Sequence, residues 1–140
     1  MLPTIPFIDK QELKEFVERN EIGEPFNYSA EFMYRLTKGD KLVGIVAYML
    51  EKDKEGNEFP RFIHVIFDEG IRKTRTAVKF VIDSLVDIQN KGYEVVVAVI
   101  PHWKKHMIRY ARKFRFKEFS SDEKYGYYML RFIKPKSKLL

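Results

Sequence analysis

Along the first half of the chain the apolar positions recur first at helical and then at strand spacing. Leu13, Phe16 and Val17 share one face of a short amphipathic helix. Ahead of them Asp9-Lys10-Gln11-Glu12 fits a capping box, in which Asp9 accepts from a free amide and Glu12 reaches back. That helix is expected to end near Asn20 to Gly23. From Glu31 to Leu36 and from Lys41 to Leu50 the residues are aromatic, aliphatic and β-branched, and Lys38-Gly39-Asp40 supplies a hairpin turn between them. A third strand, Phe59 to Phe67, follows the polar loop Asp53 to Glu58, whose Gly and Asn tolerate positive φ. A helix and a three-strand antiparallel meander are therefore expected.

The period then changes. Ala77, Val78, Val81, Ile82, Leu85, Val86 and Ile88 recur at helical spacing, with Lys79, Asp83, Asp87 and Lys91 opposite and Gly92 as the stop. Glu94 to Ile100 is almost continuously apolar, as in a strand covered on both faces. A helix between two such strands implies a right-handed parallel crossover. A basic helix from about Trp103 to Phe114 follows, then Arg115 to Phe119 and Tyr125 to Ile133 as an antiparallel pair joined by Ser120 to Lys124, and a frayed tail from Lys134 to Leu140.

Composition narrows the class. The 140 residues, 45% hydrophobic with 12 Phe and 8 Tyr, suffice for one core, and neither repeat nor linker divides them. One domain over residues 1–140 is expected, with a helix and hairpin strands in 1–58, a second half in 59–133 and a tail in 134–140. No apolar run approaches the roughly 20 residues of a membrane span, and MLPTIPFIDK lacks a secretory layout, so a cytoplasmic protein without membrane association is expected. The chain has no cysteine, which removes disulfides, thiolate ligands and a cysteine nucleophile. His102 and His106 stand at i, i+4 without an accompanying carboxylate, so no metal site is expected. Abundant Lys and Glu with few Asn and Gln resemble the composition of proteins from hot environments. The net charge of +6 is concentrated, with seven Lys or Arg and no acid between His102 and Lys117, which favours a polyanionic ligand or partner.

Two segments carry candidate chemistry. Arg72-Lys73-Thr74-Arg75-Thr76-Ala77 opens the second helix, where unpaired amides and the helix dipole attract phosphate. Basic residues are electrostatically disfavoured at a helix start, and their presence there points to an anion. The other segment is Met107-Ile108-Arg109-Tyr110-Ala111-Arg112-Lys113-Phe114-Arg115-Phe116.

The order of elements and these two segments resemble the GNAT superfamily of acyl-CoA N-acyltransferases over nearly the whole chain. The fold so implied is α/β, a mixed and mostly antiparallel sheet with one parallel strand-helix-strand crossover and flanking helices. The segment at Arg72 resembles the family's Gln/Arg-x-x-Gly-x-Gly/Ala loop, with Arg72 and Ala77 at its ends and Arg75 in place of the central Gly. The segment at Met107 is similar to the family's Ala-hydrophobic-Arg-x-Tyr-x-Lys-hydrophobic-Gly-Phe; Phe116 matches its Phe, Arg115 falls on its Gly and Ala111 on its Tyr, often the acid toward the departing thiolate. Tyr110 lies one residue early, a turn of roughly 100° around the helix.

The resemblance implies acetyl-CoA as cosubstrate, gripped by residues 72–77, with Ile66 and Phe67 offering backbone groups to the pantetheine arm and an amine entering from the other side. Such chemistry requires a base, an oxyanion donor and an acid. His64, with a near-neutral ordinary pKa, and Glu69 are candidate bases, and Tyr110 is a candidate acid. The competing reading is a domain that has lost its chemistry and uses Lys104, Lys105, Arg109, Arg112 and Lys113 of the basic helix 103–114 to bind nucleic acid or another acidic partner. The amine's identity and a homodimer are left open.

Overall fold

The computed structural model describes residues 10–20 and 25–132. Asp9, Gly23, Ile133 and the tail therefore lie outside the described residues, with the expectations attached to them. The elements run α1 (Lys10–Asn20), β1 (Phe32–Lys38), β2 (Lys41–Lys52), β3 (Glu58–Phe67), α2 (Arg75–Asn90), β4 (Val95–Pro101), α3 (Lys105–Lys113), β5 (Lys117–Ser121) and β6 (Tyr125–Arg131). The strands form one six-stranded sheet in the order β1-β2-β3-β4-β6-β5. Every pairing is antiparallel except β3 with β4, which α2 connects. This is the mixed α/β sheet with a single parallel crossover expected from the sequence.

Both faces of the sheet are covered, and β2 records it: every residue from Leu42 to Tyr48 is buried. On one face Leu13 and Phe16 of α1 pack with Leu42, Ile45, Ala47 and Ile66. On the other, Phe80, Val81, Leu85 and Ile88 of α2 pack with Val46, Tyr48, Val96, Ala98 and Ala111 of α3. Two polar contacts, one buried and one partly buried, fix α2 laterally. The Tyr34 hydroxyl donates to Asp87, and the Tyr48 hydroxyl meets Ser84 Oγ at 2.8 Å, which itself donates to the Val81 carbonyl. Burial and its carboxylate partner raise the Tyr34 pKa, so the phenol stays protonated and donating.

Two elements start two residues later than the sequence expectation, each for a local reason. α3 starts at Lys105 instead of Trp103, because the chain first turns with the Lys104 amide on the Pro101 carbonyl and the His102 amide on the Lys124 carbonyl. β5 starts at Lys117 instead of Arg115, because Arg115 and Phe116 are consumed in ending α3. The Phe116 amide bonds the Ala111 carbonyl and the Arg115 amide the Arg112 carbonyl, a Schellman closure whose pivot, Arg115, sits at φ +70°.

Candidate functional site

The parallel pair holds only at Arg61 with Val97 and Phe62 with Ala98; beyond these the two strands part. Just there β3 carries a bulge: Ala47 faces His64 and Tyr48 faces Phe62, so Ile63 has no opposite number. A bulge bends its strand, which suits a place where pairing stops. The parting opens a cleft of about 690 Å³ lined by β3 from Arg61 to Phe67, by β4 from Ala98 to Pro101, and by parts of α1, α2 and α3.

The ladder phase decides which backbone groups face this cleft. The Asp68 amide bonds the directly opposite Val43 carbonyl, so by alternation Ile66 and His64 spend their groups on β2, while Val65 and Phe67 turn theirs toward β4. Of the two residues expected to offer backbone groups, Phe67 faces the cleft with its main chain. Ile66 does not, although it lies along the cleft wall.

At the end of β3 the chain turns into α2. Thr74 caps the helix: its hydroxyl accepts from the Ala77 amide at 3.2 Å and donates to the Ile71 carbonyl at 2.6 Å. The cap leaves the Arg75 and Thr76 amides without an intrahelical partner at the positive end of the helix dipole. Lys73, at φ +62°, makes the turn that presents them. Ala77 is buried, and Arg75 is exposed and lies outside the lining of the cleft, so its side chain does not fill the space that a central Gly would leave. Arg72 donates Nε to the Phe67 carbonyl at 2.8 Å and Nη2 to Asn20 Oδ1 at 3.1 Å.

Beside this loop a second cavity of about 290 Å³ is lined by Lys73, His106, Arg109, Tyr110 and Lys113. Its field is strongly positive. The His106 pKa is lowered by burial and then by the charges of Lys104, Arg109, Lys73 and Arg72, so an extra proton is resisted there. Lys73, just ahead of α2, and the α3 side chains His106, Arg109, Tyr110 and Lys113 thus converge on one positively charged corner.

The three proposed catalytic side chains have different fates. His64 is buried on the cleft wall, stacked on Phe26 with ring centroids 4.4 Å apart, and its Nε2 accepts from the Asn27 amide at 3.0 Å. Burial, and then the charge of Lys104, depress its pKa to about 4, in place of the near-neutral titration expected from its type. Glu69 is exposed in the turn after β3 and does not line the cleft. Tyr110 is half-buried and borders both cavities, stacked near Phe114 with centroids 6.2 Å apart, whereas Ala111 faces the core.

Sequence reasoning missed Tyr125, at the first position of β6 opposite Pro101, and Asn20, at the end of α1; both line the cleft. No signal in the sequence marked them, since each reaches the cleft only through pairing or packing between distant segments. His102 takes no part: its ring bonds the Asp122 carbonyl and fastens the β5–β6 turn.

No family model matches the sequence, and no curated protein matches it. The fold has solved counterparts. The chain is similar to the ribosomal-protein-S18-alanine N-acetyltransferase of Escherichia coli, at 9% identity and a TM-score of 0.77, over 100% of this chain and 98% of that one. It is similar to Arabidopsis thaliana Naa50, solved with the bisubstrate analogue CoA-Ac-MVNAL, at 14% identity and a TM-score of 0.70 over 89% and 95% of the chains. It is also similar to an acetyltransferase of the GNAT family from Streptococcus pneumoniae, at 10% identity and a TM-score of 0.70 over 87% and 93%. Such likeness over whole chains, at identities this low, is a statement about architecture: the chain has the GNAT fold.

Proposed function

We propose that this protein is an acyl-CoA-dependent N-acyltransferase, with acetyl-CoA as donor and an amine as acceptor. The observation that carries the reading is the parting of β3 and β4 next to a capped helix start and a basic corner. A thioester arm along the parted strands would meet the main chain of Val65 and the amide of Phe67, whose carbonyl Arg72 holds. Its phosphates would reach the Arg75 and Thr76 amides, Arg72, Lys73, Arg109 and Lys113. In the reaction the amine nitrogen forms a bond to the thioester carbonyl carbon. The tetrahedral oxyanion collapses, the carbon–sulfur bond breaks, the amine loses a proton and the thiolate gains one.

Of the candidate side chains, Tyr110 is the one we assign to protonating the thiolate, because it borders both cavities. His64 suits a structural part better than that of base, since its Nε2 already accepts a hydrogen bond. A water, or entry of the amine in its neutral form, would serve for deprotonation. Titration calorimetry with acetyl-CoA should give micromolar-range binding, and free thiol should be released when an amine panel is added. An absence of heat and of thermal shift at millimolar acetyl-CoA would sink this reading.

A second reading, nucleic-acid binding through α3, draws on the exposure of Trp103, 73%, with the Lys104 ammonium over its ring at 5.3 Å. It requires salt-sensitive affinity for a random single strand; undetectable binding at low salt would end it.

A further inference from the structure

The end of α1 is tied to the phosphate loop by an unbroken set of polar contacts. Arg19 grips Asp68 with Nε and Nη2, both at 2.9 Å, and also donates Nη2 to the Leu42 carbonyl at 2.6 Å. Asn20 donates Nδ2 to Asp68 Oδ1 at 2.9 Å and to the Phe16 carbonyl at 2.8 Å. The Asp68 carbonyl in turn accepts the Ile71 and Arg72 amides. Burial alone would raise the Asp68 pKa, but the hydrogen bonds from Arg19 and Asn20 and the charge of Arg19 hold it below the usual carboxylate range. Asp68 thus stays ionised and fixes which way the Asn20 amide points: Nδ2 toward the carboxylate, Oδ1 toward Arg72.

That orientation matters because of what it leaves free on Arg72. A guanidinium has five N–H donors in a rigid plane. Nε is held by the Phe67 carbonyl and one Nη2 hydrogen by Asn20 Oδ1, both on one flank. The remaining hydrogens belong to a group that is already locked in place and borders the cleft. A side chain immobilised beforehand binds an anion without losing its rotamer freedom at that moment, and so binds it more tightly.

We propose that Asn20 is a positioning residue for anion binding: it touches no ligand, and it holds the Arg72 guanidinium in the orientation that receives a phosphate of the cosubstrate. The inference rests on the acyl-CoA reading for the identity of the anion. It needs only a pyrophosphate-like group for its test.

The test is a double-mutant cycle read by calorimetry with two probes, acetyl-CoA and inorganic pyrophosphate, alongside the Tm of each variant. Asn20→Ala should weaken both probes roughly five- to tenfold, about the effect of one well-placed charged hydrogen bond. In an Arg72→Ala background the same substitution should change affinity less than twofold. Asn20→Asp sets a second carboxylate beside Asp68 and an added negative charge next to Arg72, so it should lower the Tm and weaken both probes at least as much as Asn20→Ala. If Asn20→Ala binds both probes as tightly as wild type, or weakens binding equally with and without Arg72, the proposal is overturned. Wild-type binding of pyrophosphate without acetyl-CoA would remove the acyl-CoA reading and leave the cycle to be read with pyrophosphate. Binding of neither overturns both.

Discussion

At the residue scale, His64 and Arg115 each occupy a place that their type does not prefer. His64 has a folded pKa of about 4 against an ordinary 6.5. Between these values the unfolded chain binds the proton more readily, so stability is complete above about pH 6.5 and is lost as the pH falls toward 4. The loss integrates to about 3 kcal/mol at most. Measured as wild type minus His64→Gln, which cancels the carboxylates titrating in the same window, the fall in Tm from pH 7 to pH 4.5 should be steeper for wild type; equal slopes would refute the assignment. Arg115 is in the left-handed region at the C-terminal closure of α3, where a Cβ is strained. Arg115→Gly should therefore stabilise by about 0.5–1 kcal/mol, read as a raised Tm, because the relieved strain exceeds the added freedom of the unfolded chain. The same strain is the physical reason that a Gly suits this place.

At the scale of elements, the helix start and the third strand are where small changes reach the site. Thr74→Ala removes the cap on α2 and should cost about 1 kcal/mol by denaturant unfolding, while freeing the Ala77 amide. Gly44 lies across from Phe67, and a Cβ there would stand 2.7 Å and 2.8 Å from the Phe67 ring and 3.2 Å from Leu36 Cβ. Gly44→Ala must push the flank of a ring that lines the cleft, so both stability, by about 1–3 kcal/mol, and affinity for acetyl-CoA should fall. Unchanged affinity with lowered stability would mean that the ring yields away from the cleft.

Most elements were legible in the sequence because each has a clear period: 3.6 through Ala77 to Ile88, alternation or an apolar run in the strands. What was not legible depends on pairing between distant segments. That β6 rather than β5 lies against β4, that β3 is bulged at Ile63, and that its ladder phase favours Val65 over Ile66 are all set by register. The candidate site divides the same way. The loop 72–77 could be read from local chemistry, whereas Tyr125, Asn20 and the burial of His64 could not.

At the scale of the whole molecule, the chain carries a net charge of +6, and Lys73, Arg109 and Lys113 bring positive charge together around one cavity. Affinity for acetyl-CoA should therefore weaken several-fold between 50 and 500 mM salt, as the screening length shrinks from above 10 Å toward a few Å. Lys113→Gln should flatten that dependence. A salt-independent Kd would mean that the basic corner contributes nothing. None of the helices among the described residues is long and apolar enough to cross a membrane.

The sheet is, in mechanical terms, two leaves of three strands, β1-β2-β3 and β4-β6-β5, joined along two residue pairs. Along β3 the amides differ in kind: those of His64 and Ile66 are protected by β2, while those of Val65 and Phe67 face the open side of the seam. Isotope exchange should find two fast amides set within a slow strand, and a molecule that bonds to them should slow them while leaving their neighbours unchanged. The interrupted ladder would then act as a gauge of its own occupancy, readable without any assay of turnover and before the acceptor is known.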